Sequence, residues 1–368
     1  MKRNLLAIAI PALLVAGAAN ASIEVWNKDG NKLNVNGRVY ALNYVGKHDN
    51  TVDGNGDKTT ARIGFTGETQ VTDWLSGYGR FEWETATGSD ASNETRYAFA
   101  GLNFGQYGSF DYGRNDGVLK ALTAYTDVLP EFGGDASNNS LYLLSARTSA
   151  VATYRNNGFY GLVDGLDFAV QYGDNKDINS VETTGSDEKG LNGGKEAYGF
   201  NAQYAILDTG LSVGAGYTQT SGSDDNKAWS TGLKYDAYNL YLAGLYIEGQ
   251  QKTAMGSQVI SQALATKDKV KVKGFELVAQ YGIDFEVGRL TPSLAYVQHQ
   301  SKDAADAISG SSKYLAKYVE VGMQYDFNKN LTAIVDYKIN LLDSDDIGAQ
   351  GKNGNTKDTV ALGLIYQF

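Results

Sequence analysis

The chain ends on TVALGLIYQF, residues 359–368. Val360, Leu362, Leu364, Tyr366 and Phe368 share one parity; Ala361, Gly363, Ile365 and Gln367 share the other. Side chains alternate across an extended strand, so this segment has one oily face and one face of mostly small or polar residues. LTAIVDYKIN (331–340) repeats the pattern, with Leu331, Ala333, Val335, Tyr337 and Ile339 against Thr332, Asp336, Lys338 and Asn340. So does LDFAVQYG (166–173), with Leu166, Phe168, Val170 and Tyr172 against Asp167, Ala169, Gln171 and Gly173. A soluble β-sandwich also alternates, but two features argue against one. The second face is often charged or Gly, as at Arg80, Glu82 and Glu84 in LSGYGRFEWET, while the apolar parity recurs over more strands than one small core could use. Aromatics also sit repeatedly at strand ends (Tyr172, Tyr204, Tyr235, Tyr281, Tyr325, Phe327, Tyr366, Phe368), as in the interfacial girdles of membrane barrels.

Sixteen such segments start near residues 33, 59, 75, 93, 108, 148, 165, 197, 210, 228, 239, 273, 290, 315, 331 and 357. Their connections alternate between short (VTDW, ILDTGL, DAYN, FNKN) and long and polar (HDNTVDGNGDKT, the stretch around 174–196, and 249–272). An even count with short turns on one rim and long loops on the other predicts an all-β fold: a 16-stranded antiparallel transmembrane β-barrel, wide enough for an aqueous channel.

The bulk composition agrees. Of 368 residues, 44 are Gly, 25 Tyr and only 3 Pro, which favours strand over helix. The absence of Cys excludes disulfides and thiolate metal sites. The two histidines, His48 and His299, sit in polar, loop-like contexts and offer little to a catalytic centre, so an enzyme is not expected. Residues 1–21 read as a cleaved signal peptide: Lys2 and Arg3, an apolar run from Leu5 to Val15, then Ala19-Asn20-Ala21. Its removal takes two bases and no acid, leaving 30 basic against 42 acidic residues, a net charge of −12 on a single domain of residues 22–368. That balance disfavours nucleic acid as a partner. No later run of 18 apolar residues exists, so a closed barrel is the remaining way to cross a membrane.

One connection stands apart. From Arg114 to about Arg147 the chain is long, moderately apolar at GVLKALTAYTD, stopped at Pro130 and bent at Gly133-Gly134. Leu119, Leu122, Leu129 and Phe132 suggest that it packs against something. A loop of this length is usually functional. It is expected to fold into the barrel and constrict it, with Asp127 and Glu131 facing water; an extracellular lid is the other reading.

PEFGGD (130–135) and FDYGRN (110–115) resemble the general diffusion porins of Gram-negative outer membranes, as do NKDGNKL, ARIGF, RYAFAGL, VATYRN, GLVDGL, TGLKYDA, DFNKN and the terminal YQF. The matches run in order along the whole mature chain. The resemblance implies a homotrimer in outer-membrane lipid and lipopolysaccharide, assembled by machinery that reads Phe368, and passing ions and small hydrophilic solutes without cofactor or metal. It also implies an inward third loop (about 115–147) whose acids, Asp127 and Glu131, face wall bases at Arg38, Arg62, Arg96 and Arg147. Strand parity supports three of these: Arg38 lies with Asn34, Asn36 and Tyr40, opposite Leu33, Val35 and Val39; Arg62 lies with Thr60, Gly64, Thr66 and Glu68, opposite Ile63 and Phe65; Arg96 is read as facing away from Tyr97 and Phe99. Arg147 sits at a loop–strand junction. Arg80, Glu82 and Lys120 are further candidates for the pore lining. Lys120 departs from the neutral or aromatic residue expected there, and would neutralise part of the constriction if it points inward. The base that phosphate-preferring members carry after PEFGGD is absent, since ASNNSLY follows. Weak cation preference is therefore expected, helped by Glu68, Glu320 and Asp336 on lumen faces.

A substrate-specific outer-membrane channel is the alternative, though it would want more strands and a path of lumen aromatics. Asp53, Asn55 and Asp57 resemble the start of a calcium loop, but Lys58 stands where Gly is needed and no closing Glu follows.

Overall fold

The computed structural model describes residues 22–46, 56–87, 92–137, 141–174, 196–222, 226–252, 258–308, 311–349 and 356–368. The leader at 1–21, His48, Asp53 and Asn55 lie outside these residues.

Sixteen staves form the wall: β1 (Asn31–Gly46), β2 (Thr60–Gln70), β3 (Ser76–Ala86), β4 (Asn93–Asn103), β5 (Ser109–Asp116), β6 (Arg147–Asn156), β7 (Leu166–Gly173), β8 (Ala197–Ala205), β9 (Leu211–Thr220), β10 (Lys227–Ala237), β11 (Leu240–Gln251), β12 (Val270–Tyr281), β13 (Arg289–Gln300), β14 (Tyr314–Asn328), β15 (Leu331–Asn340) and β16 (Thr359–Gln367). Each pairs antiparallel with its sequence neighbour, and β16 pairs back onto β1, so the sheet is closed. The short pieces Gly56–Asp57 and Ile283–Asp284 extend β2 and β12. Segment Ser22–Lys28 pairs with the first half of β1 and β16 with the second half, so these two share one stave. The expected count and order are those of the structure.

The alternation explains which face is which. Val39, Ile63, Phe65, Phe81, Val335, Leu362 and Leu364 are exposed on the outside, an apolar face suited to hydrocarbon. The opposite parity is polar or faces packed chain. Tight turns close the short rim. Tyr238 and Asn239, both with positive φ (55° and 64°), make the two-residue hairpin between β10 and β11, whose twist matches its strands.

The described residues of the connection between β5 and β6 pack against the wall. This connection opens with the one-turn helix α1 (Lys120–Thr123), and its apolar residues Leu119, Leu122 and Phe132 are buried against the inner parity of the wall. Gly199, Gly214, Gly216 and Gly232 of β8–β10 make the recess. A Cβ at these sites would come within 2.5–2.9 Å of Val118, Leu122, Leu119 and Tyr125 respectively.

At the seam, Gly37 exchanges both backbone hydrogen bonds with Phe368 (2.8 and 3.0 Å), and a Cβ at Gly37 would stand 2.4 Å from the Phe368 ring. Gly37→Val should therefore cost more than the roughly 1–3 kcal/mol typical of overpacking and deplete the folded, heat-modifiable band on unboiled gels. Gly67→Ala, whose Cβ meets nothing closer than 3.9 Å, should leave that band unchanged.

Candidate functional site

Four staves carry the basic side. Arg38 (β1), Arg62 (β2) and Glu84 (β3) stand in one cross-strand row, so two like charges are directly opposed. Like charges in that position repel, and wall carboxylates relieve them. Glu84 accepts from Arg62 and lies 4.0 Å from Arg38 Nη2 and 3.3 Å from Arg96 Nη1. Glu82 accepts from Arg80 (2.6 Å) and Arg96 Nε (2.7 Å). Four guanidinium groups thus share two carboxylates. Arg80 also stacks 3.8 Å from the centre of the Tyr97 ring. Arg147, first residue of β6, lies 3.8 Å from Glu94 and 5.8 Å from the same ring.

Arg96 reaches the lumen by a route that parity does not give. The register of β3 against β4 shifts between Glu82 and Trp83, so that Glu82 opposes Tyr97 while Trp83 opposes Thr95. Arg96 is the extra residue of this bulge. Tyr97 and Phe99 are on the inner face with it, contrary to the expectation from alternation, because a bulge places two successive side chains on one side.

The loop acids are differently placed. Asp127 pairs with Lys120 of its own loop. Glu131 accepts from the hydroxyls of Tyr40 (2.7 Å) and Tyr44 (2.5 Å) on β1. Burial pushes the Glu131 carboxyl above the ordinary Glu range; the two tyrosine hydroxyls pull it back in part, and nearby Asp336 adds to the rise. No ion pair joins either loop acid to Arg38, Arg62, Arg80 or Arg96 among the described residues.

What holds the loop was hidden from sequence reasoning. Asp336 of β15 accepts the backbone N–H groups of Glu131 (2.9 Å) and Phe132 (2.8 Å). Glu276 of β12 accepts from the Gly134 N–H (3.0 Å) and the Thr126 hydroxyl (3.1 Å). Asn201, Tyr241 and Gln280 donate to the loop carbonyls of Val118, Tyr125 and Val128. A signal for Glu276 existed: it is the lone acid on an inner parity otherwise made of Val270, Val272, Gly274, Val278 and Gln280. His299 also differs from expectation. It lies within β13, not in a polar loop, and is buried with its ring 5.6 Å from that of Tyr142.

Open space lies beside the loop. Part of it is a cavity of about 520 Å³ bordered by Arg80, Tyr97, Lys120, Tyr125 and Lys234. Among the described residues the cavity's border is polar and charged, with Arg80, Lys120 and Lys234 on it.

Asp336→Ala would orphan two loop N–H groups, each costing about 1–3 kcal/mol when left unsatisfied. Amide hydrogen exchange at Glu131 and Phe132 should then speed up by at least about tenfold, since 1.4 kcal/mol is a factor of ten, while amides of β9 keep their protection.

Comparison with known proteins places this geometry. A family model described as "Gram-negative porin" matches residues 28–368. "Outer membrane protein F" of Serratia marcescens is 45% identical over 389 aligned positions, and "Outer membrane porin N" of Escherichia coli K12 is 44% identical over 393, each alignment covering all of both chains. Among solved structures, the Salmonella typhi OmpF complex with daunomycin superposes with a TM-score of 0.75 at 32% identity, over 94% of this chain and all of that one. A loop L8 deletion mutant of OmpT, an outer membrane protein of Vibrio cholerae, at 14% identity and a TM-score of 0.65 over 92% of this chain and all of that one, shares the fold.

Proposed function

This chain belongs to the Gram-negative porin family and is a protein of the outer membrane; we propose that it is a general diffusion porin with weak cation preference, working as a homotrimer. Ions and small hydrophilic solutes cross by passive diffusion through a water-filled lumen. The third loop, about residues 115–147, is the constriction in this reading. Arg38, Arg62, Arg96 and Arg147, with Arg80 and Glu82, line one side of it, and Asp127, Glu131 and Lys120 line the other.

The observation that carries this reading is the loop bonded to the inner wall at Glu276 and Asp336, facing the arginine row. Opposed charges across a narrow, water-filled gap make a transverse field that orders water and orients dipolar solutes. Apolar solutes must give up that ordered layer. The wall arginines outnumber their carboxylates locally and favour anions, whereas the chain's 42 acids against 32 bases favour cations. The two tendencies oppose, so the net preference is weak and steepens at low salt, where the Debye length grows from about 10 Å at 0.1 M to about 30 Å at 0.01 M.

Planar-bilayer recordings across a KCl gradient test this. Asp127→Asn with Glu131→Gln should swing the reversal potential toward anions with little change in high-salt conductance, because the hole keeps its size. Deleting residues 120–135 should admit larger sugars in liposome swelling. An unmoved reversal potential together with an unmoved size cutoff would place the constriction elsewhere.

The raised Glu131 carboxyl adds a pH signature. It takes up its proton at a pH above the roughly 4.3 of an ordinary Glu. Cation preference should accordingly begin to fall, on acidification from pH 7, before that value is reached. In Glu131→Gln the early part of the change should vanish.

A further inference from the structure

We infer that Lys120 sets the strength of the pore's ion preference: by pairing with Asp127 inside the lumen it withdraws that carboxylate from the charge a permeating solute meets. The inference rests on the diffusion-porin reading and adds to it a residue and a solute class.

The direction of the Lys120 side chain follows from its neighbours. α1 begins at Lys120, whose N–H bonds to the Gly117 carbonyl (2.9 Å), and the Ala124 N–H bonds back to the Lys120 carbonyl (2.9 Å). Leu119 and Leu122 are fully buried in the glycine recess of β8–β10. On a helix those positions share a face, and position 120 is turned about 100° away from 119. Lys120 therefore projects toward the open side, where it borders the central cavity with Ala121 and Ala124. Its ammonium meets the Asp127 carboxylate there.

The side chains of the pair keep 26% and 47% of their surface, so lumen water reaches both. An isolated acid at this place would attract cations through a field falling with distance, as a single charge does. A contact pair is a dipole, whose field falls off faster and whose net charge is zero. Of Asp127 and Glu131, only Glu131 then acts as an acid on the ion path, and its carboxyl is shared by two tyrosine hydroxyls. The solutes affected most are those bearing a primary ammonium: they lose Asp127 as an attractive stop and meet the Lys120 charge in its place. Anionic and neutral solutes of the same size lose nothing.

Reversal potentials of Lys120→Met, which keeps length and removes charge, decide the matter. The K⁺/Cl⁻ permeability ratio should rise about two- to fivefold at 0.1 M salt, the range expected for one charge a few ångströms from the ion path in water. Influx of an aminated disaccharide into liposomes should rise relative to its neutral parent by a similar factor. Lys120→Gln gives the same reading if the Met variant yields no folded band. Adding Asp127→Asn to Lys120→Met should return the ratio close to that of the unmodified protein. A ratio unchanged, or moved toward anions, in the Met or Gln variant overturns the inference. If the unmodified protein conducts no ions at all, the diffusion-porin reading fails instead, so the two failures are distinguishable.

Discussion

The wall can stand in hydrocarbon only because no strand has a free edge. Each unpaired backbone group there would cost several kcal/mol, and sixteen staves paired in a ring leave no free strand edge among the described residues. The demand is sharpest at the seam. One stave is made of two pieces from opposite ends of the described chain, Ser22–Lys28 and β16, laid end to end along β1. Gly37 receives the last residue with both its backbone bonds and leaves space for the Phe368 ring. The outward apolar belt, the inward polar face and the even strand number all follow from meeting this one requirement.

Closure also fixes what can be done inside. A ring of sixteen staves is too wide for its own side chains to fill, so the chain fills part of it with a segment of backbone. That segment carries peptide groups out of bulk solvent, and they need partners. The wall supplies them as carboxylates for the N–H groups and as amides and a hydroxyl for the carbonyls. The charged row lies on β1–β4, and the loop reaches that side of the wall at Tyr40 and Tyr44 of β1.

Much of this was legible from residue order. Period-two alternation gave every stave, because a one-residue slip would turn the oily face inward. Arg38 and Arg62 followed from the same rule, since β1 and β2 pair without interruption there. Arg96 did not, because one extra residue in β4 breaks the parity count and nothing in NETRYAF marks the bulge. Lys120 and Asp127 could be named but not joined: they are seven residues apart in irregular chain, where no periodicity fixes a distance. Asp336 read as one more lumen charge, since the loop groups it accepts from are main-chain groups, and main-chain groups carry no letter. His299 sits among glutamines, and its neighbours' polarity hid the strand that continues through it.

The bonds that anchor the loop at Glu276 and Asp336 end largely on main-chain atoms. The groups that set the charge across the gap are side-chain tips. On the loop side the bore therefore depends on atoms that nearly every amino acid possesses, held by a few wall carboxylates, whereas on both sides the sign and strength of the field depend on atoms that a single codon change replaces. In a lineage exposed to changing solutes and toxins, the two properties can drift separately: the hole stays the same hole while its discrimination is rewritten residue by residue.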